Sequence, residues 1–535
     1  MATPTIRLTP GEKRLRALLL DVAEFINASS RETIRSGGVA APKEPLVLRW
    51  AGGWVRDKLL GIDTQDIDVA INCMTGEELG RQLGVFCKNP AVIRKHSITK
   101  SDLGTLHTIK ANPEKSKNLA TATCRIFGAD VDFVNLRKET YTADSRNPQI
   151  EFGTAAEDAF RRDATVNALF YNLHTGEVED FVGGVPDLRA GLIRTPLEPL
   201  QTFTDDPLRV LRLIRFASRL GFSIDRDTER VMSDSQVLRS LKIKISRERV
   251  GIETVKMLGG NHPSVSLELV DRLGLYHAIF TDPTSDGPSP DISSWKAAYG
   301  FLEAGSRGDE FAGPIYSRLV QGSEDALSAW TLAAFAPWDG VENPNLDREK
   351  PRTRNVPLIT RAAREGIKAS NKVSDMITAA HAHKEEILKL KQLACSQDAY
   401  QAGRDVFGMA IRRWGDRGDR WRLLIVYAIL VDAMAKLKTW PVQQDDLRAF
   451  SAPWLRFLEH IEQLDVADAP YVKPLVDGKL LATSLQVKGG RWMARALDVC
   501  LAWQFRNPGV DDPAGAIEEV NRRREELQIP GPSAH

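Results

Sequence analysis

Asp66 and Asp68 stand two residues apart in the run DIDVAIN, where Ile67, Val69 and Ile71 alternate with them. On a β-strand, residues i and i+2 project from one face, so the carboxylates point together while the aliphatic residues enter a core. Adjacent carboxylates repel unless a cation lies between them. Mg²⁺ is the cation expected, because it takes hard oxygen ligands and bridges to substrate phosphates. Two such ions can stabilise the attacking and leaving oxygens of a phosphoryl or nucleotidyl transfer. The stretch just before reads RWAGGWVRDKLLG from Arg49. Gly52 and Gly53 let the backbone approach a triphosphate and present N–H groups to it. Arg56, followed by Asp57, offers the fixed positive charge that phosphates favour.

A second constellation lies downstream, in DDPLRVLRLIRF from Asp205 to Phe216. Asp206 and Arg209 are three apart in a run read as helical, hence on one face. A carboxylate only accepts and a guanidinium only donates. Cytosine and adenine each offer an exocyclic amino donor beside a ring-nitrogen acceptor, which suits that pair. Uracil and guanine present a carbonyl and a ring N–H there, and unpaired buried polar groups cost about 1–3 kcal/mol each. One Asp–Arg pair can therefore accept C and A while rejecting U and G. Arg212, one turn further, is placed to add a base or phosphate contact. Asp132, in VDFVNLR, sits on a predicted strand, and Asp130 shares its face by alternation.

These segments resemble the class II tRNA nucleotidyltransferases, or CCA-adding enzymes, of the polymerase β-like nucleotidyltransferase superfamily. GGWVRDKLLG with Asp66 and Asp68 is similar to their motif A, and EDAFRRDATVNAL, Glu157 to Leu169, to their motif B. The second resemblance implies ribose contacts from Arg162, Asp163 and Asn167. DFVGGVPDLRAGLIR (180–194), the Asp206–Arg209 segment and SRERVGIETVKML (246–258) resemble the motifs that follow. VKGGRWMARALDVCLAWQFRNP, from Val487, is like the C-terminal tRNA-engaging part of the eukaryotic branch, particularly the fungal one. The resemblance implies Asp66, Asp68 and Asp132 as catalytic carboxylates and Asp66 and Asp68 as metal ligands. It implies Gly52, Gly53, Arg56, Asp57, Arg162, Asp163, Asn167, Asp206, Arg209 and Arg212 around the nucleotide. The implied reaction adds C, C and A to the 3′ end of tRNA from CTP and ATP, releasing pyrophosphate. The competing readings are a CC-only or A-only enzyme, a poly(A) polymerase, and a catalytically silent RNA-binding protein. A lysine-containing stretch between Gly84 and Thr121 corresponds to a loop that the family uses in switching from CTP to ATP. Deleting Ser101–Lys117 is expected to leave CC addition and abolish A addition, read on a sequencing gel.

The elements that must hold these residues follow from composition and periodicity. A chain of 535 residues with 42% hydrophobic and 27% charged residues is ordinary globular material, sized for three or four domains. Net charge is +1, so nucleic-acid contacts must come from local basic surfaces. Five scattered cysteines without CxxC spacing argue against a disulfide framework and a zinc site. No apolar stretch is long enough to span a bilayer, and no secretory signal opens the chain. The expectation is a cytoplasmic protein, with nuclear and mitochondrial pools allowed and no obligate protein partner. The spacing predicts strands over 46–50, 66–71, 92–93, 120–126 and 130–136, then helices over 208–219, 247–258, 359–370, 371–390 and 421–437. The fold class expected is α+β. A helical extension covers 1–45 and a nucleotidyltransferase head with a mixed sheet covers 46–195. An all-α neck (196–280), body (281–455) and tRNA-binding tail (456–535) follow.

Overall fold

The computed structural model describes residues 4–35, 44–109, 121–142, 145–285, 287–342, 356–396, 403–415 and 420–531. It divides into two compact units, Met1–Arg249 and Val250–His535.

The first unit is built on a seven-stranded sheet. Its elements in chain order are α1 (Pro10–Arg35), β1 (Leu48–Ala51), α2 (Gly53–Leu59), β2 (Asp66–Ile71), α3 (Gly76–Phe86), α4 (Pro90–His96), β3 (His107–Ile109), β4 (Thr121–Ile126), β5 (Ala129–Asn135), β6 (Arg137–Thr142), β7 (Ser145–Phe152), α5 (Ala155–Phe160), β8 (Phe170–Asn172), β9 (Val178–Glu179), α6 (Gly184–Ala190), α7 (Pro199–Asp205) and α8 (Arg209–Leu220). The sheet order is β3-β4-β5-β2-β1-β8-β9, with β6 and β7 forming a separate hairpin. β2 and β5 run parallel, while β1 is antiparallel to both β2 and β8. The mixed sheet expected from the sequence is therefore present.

Alternation sorts the strand residues as period 2 requires. Ile67, Val69 and Ile71 join Val131 and Phe133 in the large core, which also takes Leu15, Leu18, Leu19, Val22 and Ile26 from α1. The N-terminal helix is thus built into the head. Its Glu12 accepts from Trp54 Nε1 at 3.1 Å and pairs with Lys58 at 2.8 Å, fixing α2 in place. On the opposite face, Ala51, Ala70 and Phe170 pack with Ala155 and Ala159 of α5.

Two expectations need correction. Val92 and Ile93 are not a strand; they lie in α4, where Asn89 caps the helix through Ala91 N–H, Pro90 sits in its first turn and Arg94, Lys95 and His96 fill the last. Those terminus signals outweigh two β-branched residues. Asp206 is not helical either. It is extended (φ −141°, ψ 97°), ends α7 and precedes Pro207, whose ring disfavours the α region for the residue before it. α8 begins at Arg209.

The second unit is helical, with cores of its own. Tyr276, Phe280, Trp295 and Phe335 form an aromatic cluster in which Trp295 Nε1 donates to the Ala333 carbonyl at 2.8 Å. Trp414, Trp421 and Trp454 are buried and Trp440 is half-buried. Residues between Val476 and Ile529 make a separate small core around Leu481, Trp492, Cys500 and Val520. Among the described residues, no helix is long and apolar enough to cross a membrane.

Candidate active site

The parallel register of β2 and β5 sets Asp66 beside Asp130 and Asp68 beside Asp132. All four carboxylates therefore occupy one face of the two strands. Burial raises the Asp68 carboxyl above its usual range, Arg162 opposes that, and Asp132 and Asp66 add to it. Asp132 is raised by burial and by Asp66 and Asp130. The cluster is a concentration of negative charge that Arg162 offsets in part, composed of oxygen donors only. Among the described residues, no group of three or more His, Cys, Asp or Glu side chains is placed to hold a metal ion by itself. The donor set fits a hard divalent cation that takes one or two carboxylates and fills its shell from substrate phosphates.

The glycine turn borders this cluster. Ala51 is paired with Asp68, so Gly52 emerges beside it. Gly52 has φ 65° and ψ −124°, a conformation open to glycine alone. A Cβ there would lie 2.8 Å from Arg162 Nη1, 3.5 Å from the Asn167 carbonyl and 3.8 Å from Asp68 Oδ2. Gly52→Ala is expected to cost about 1–3 kcal/mol of strain. It should also lower nucleotide incorporation at least a hundredfold, by pushing Arg162 off its partners. A variant with wild-type incorporation would show the turn to be incidental.

Arg162 is held on three sides. Its Nε and Nη2 reach Asp158 Oδ2 at 3.0 and 2.9 Å, and Nη1 donates to the Asn167 carbonyl at 2.9 Å. Its guanidinium also lies over the Phe170 ring. Asp158 is 1% exposed and also takes Arg161 and the Arg137 backbone N–H. α5 carries Asp158 and ends at Arg161, and its start is set by a capping box between Thr154 and Glu157.

Arg212, Asp163, Asn167, Arg56 and Asp57 form a polar chain. Arg212 donates to Asp163 at 2.5 Å, Asp163 accepts from Asn167 Nδ2 at 3.5 Å, and Asn167 Oδ1 accepts from Arg56 Nη1. Arg56 Nε in turn donates to Asp57 at 2.7 Å, and Asp57 is also near Arg219. Arg56, 3% exposed, is committed to this chain. The turn Thr165–Asn167 joins the two groups, its Asn167 carbonyl holding Arg162 and its amide holding Arg56.

Asp163 is buried, which would raise its pKa, but Arg212 and Arg209 overcome that and bring it down to about 2. A depressed acid stabilises the fold fully above its unfolded pKa, about 3.9, and loses that contribution as pH falls toward 2. Asp163→Asn should therefore be destabilised by roughly 2 kcal/mol at pH 7. The deficit relative to wild type should shrink between pH 4 and pH 2. Urea unfolding of both proteins across that range measures it, and a deficit independent of pH would contradict the assignment.

Asp206 and Arg209 lie at the α7–α8 junction with separate partners. Asp206 Oδ1 accepts from Leu208 N–H at 3.1 Å, and Oδ2 accepts from Arg249 at 2.7 Å. Arg209 donates to the Arg161 carbonyl at 2.8 Å. Sequence reasoning missed Asp158 and Arg249. Asp158 was available from its i, i+3 and i, i+4 spacing to Arg161 and Arg162. Arg249 had no such signal, since it reaches Asp206 across 43 residues.

Comparison with known proteins now adds to this geometry. The family described as Poly A polymerase head domain matches residues 48–194, and the one described as Probable RNA and SrmB-binding site of polymerase A matches 221–286. The chain is 36% identical to the mitochondrial CCA tRNA nucleotidyltransferase of Saccharomyces cerevisiae, covering 94% of this chain and 92% of that one. It belongs to the CCA tRNA nucleotidyltransferase family. Within the family frame, the chain is also 48% identical to the nucleotidyltransferase lcsQ of Purpureocillium lilacinum, over 98% of its length and 93% of the relative's. The Thermotoga maritima CCA-adding enzyme complexed with tRNA shares the fold, with a TM-score of 0.58 at 17% identity, over 98% of this chain and 99% of that one. Members of the wider superfamily generally use divalent metal ions, consistent with the donor set on β2 and β5.

Proposed function

We propose that the protein adds C, C and A to the 3′ end of tRNA, taking CTP and ATP in turn and releasing pyrophosphate. The observation that carries this reading is the carboxylate face of Asp66, Asp68 and Asp132, set against a glycine-only turn that Arg162 clamps. Two Mg²⁺ ions held by Asp66 and Asp68 would supply activation of the 3′-oxygen and charge neutralisation at the triphosphate. Asp132, opposite Asp68, adds the third carboxylate. Gly52 and Gly53 admit the triphosphate to the backbone, and Arg162, Asp163 and Asn167 line the ribose side. Arg56, Asp57 and Arg212 support that side from beneath through the buried polar chain. Asp206 and Arg209 select the base. For that, the incoming base takes over hydrogen bonding that Asp206 makes with Arg249 and Arg209 makes with the Arg161 carbonyl. The acceptor arm, an RNA duplex, is recognised by shape, phosphates and 2′-hydroxyls. A cytoplasmic enzyme with nuclear and mitochondrial pools fits this role, and two fungal relatives bear the word mitochondrial in their names.

The deciding experiment extends a tRNA lacking its last three nucleotides with Mg²⁺ and CTP, ATP or both, at single-nucleotide resolution. Two additions with CTP and a third only when ATP joins are expected. Stopping after CC, or adding A only to a CC end, would mean a partial enzyme; a ladder of A would mean a poly(A) polymerase. No extension would favour a catalytically silent RNA-binding protein.

A further inference from the structure

The hairpin of β6 and β7 stands apart from the seven-stranded sheet, yet two polar links fasten β6 to the end of α5. The Arg137 backbone N–H donates to Asp158 Oδ1 at 3.2 Å, and Arg161 Nη1 donates to Glu139 Oε1 at 3.2 Å. The same Glu139 oxygen lies 2.9 Å from Arg137 Nε. Alternation puts Arg137 and Glu139 on one face of β6, with the exposed Lys138 on the other. The Glu139 side chain is 6% exposed, so the carboxylate and not solvent separates the two guanidiniums.

Arg161 has a second role through its main chain. It closes α5 as the C-cap residue, and its carbonyl accepts from Arg209 Nη2 at 2.8 Å. Carbonyls at a helix end have no partner within the helix, so the direction of this one depends on what holds Arg161. Its guanidinium is gripped from two sides, by Asp158 of α5 and by Glu139 of β6. Burial and the neighbouring Arg161 charge push the Arg137 guanidinium down to about 10, which shows how near the two cations stand. Without Glu139, their repulsion falls on Arg161 and on the carbonyl that it carries.

We propose that Glu139 is a positioning residue for base selection: through Arg161 it fixes the carbonyl that aims Arg209 before the base arrives. This rests on the reading that Asp206 and Arg209 select the base. Rejecting uracil requires a donor with one direction. A fixed Arg209 meets the uracil ring N–H donor to donor, whereas one free to turn finds a uracil carbonyl instead. Groups that contact a ligand hold such a geometry only when the residues behind them are locked.

The test is single-turnover extension of a tRNA lacking its CCA end by the full chain, with Mg²⁺ and subsaturating CTP or UTP. In Glu139→Gln the rate preference for C over U should fall about tenfold, while tRNA affinity stays at the wild-type value. Lys138→Gln, on the other face of the strand, should keep the wild-type preference. In an Arg209→Ala background, Glu139→Gln should change the preference no further, because both act through one guanidinium. If Glu139→Gln does not fold, Arg161→Lys carries the test. It keeps the charge and the carbonyl but loses the fork that bridges Asp158 and Glu139, and the preference should again fall. An unchanged preference in the folded variant, or a loss that simply adds to that of Arg209→Ala, overturns the proposal. If Arg209→Ala itself keeps the wild-type preference, the base-selection reading fails and this inference with it. If Arg209→Ala relaxes the preference and Glu139→Gln does not, this inference alone fails.

Discussion

Asp68→Asn will lose nucleotide incorporation by roughly a thousandfold or more, and its head will melt at a higher temperature than wild type when divalent ions are removed. The loss follows because metal-assisted charge stabilisation in such transfers is worth several kcal/mol, each 1.4 kcal/mol being tenfold in rate. The gain in stability has a separate origin. Asp68 is partly buried beside Asp132 and Asp66, and burial with those two charges holds its pKa up despite Arg162. A raised acid is a liability that appears as pH climbs above its unfolded pKa, about 3.9, and through its folded value. The advantage of the variant should therefore be present at neutral pH and vanish on acidification. Each 1 kcal/mol corresponds to roughly 2–4 °C in a domain of this size. Adding Mg²⁺ with CTP should narrow the gap, since wild type gains a bound cation and the variant gains less. Differential scanning fluorimetry in EDTA and in Mg²⁺, beside an incorporation assay, reads both effects. An inactive variant that melts below wild type in EDTA would show that Asp68 holds the fold, contrary to this account.

The second large effect is expected at a residue that need not touch substrate. Asp158→Asn should destabilise the first unit by about 3–5 kcal/mol and reduce incorporation at least a hundredfold. Its carboxylate is 1% exposed and neutralises Arg161 and Arg162, whose side chains are 18% and 17% exposed. Burial would raise its pKa, yet the two guanidiniums and their hydrogen bonds hold it below the usual carboxylate range. An amide keeps the shape but removes the carboxylate the two guanidiniums share, leaving Arg161 to Glu139 at 3.2 Å and Arg162 to the field of Asp68. It also frees Arg162, the group that packs against Gly52 and faces Asp68. Urea unfolding measures the first effect and incorporation the second. Stability within 1 kcal/mol of wild type would mean that solvent, not Asp158, neutralises these arginines.

The sequence by itself determined whatever depends on neighbours along the chain. Period-2 alternation put Asp66 and Asp68 on one face and Ile67 and Val69 in the core, as the structure has them. Helical periodicity located the helix Arg247–Leu258 and placed α8 within a residue, at Arg209–Leu220. Terminus chemistry was equally legible, in Thr154 with Glu157 and in Asn89 with Pro90, although the second was passed over for a strand. The Pro207 break was likewise written in the chain, and helical periodicity beyond it masked its effect on Asp206. Only the tertiary structure decided what faces what. Asp132 stands opposite Asp68 because β5 joins β2 in parallel, a register fixed by sheet packing 64 residues away. Arg249 finds Asp206, and Arg56 is drawn from solvent to Asn167, 111 residues on. Trp492 and residues 527–531 close one cleft from two separate stretches. Strand alternation and helix periodicity are local and repeat every few residues, so sequence carries them. Partnerships between distant charges depend on which surfaces must be buried together, and that is settled only when the chain packs.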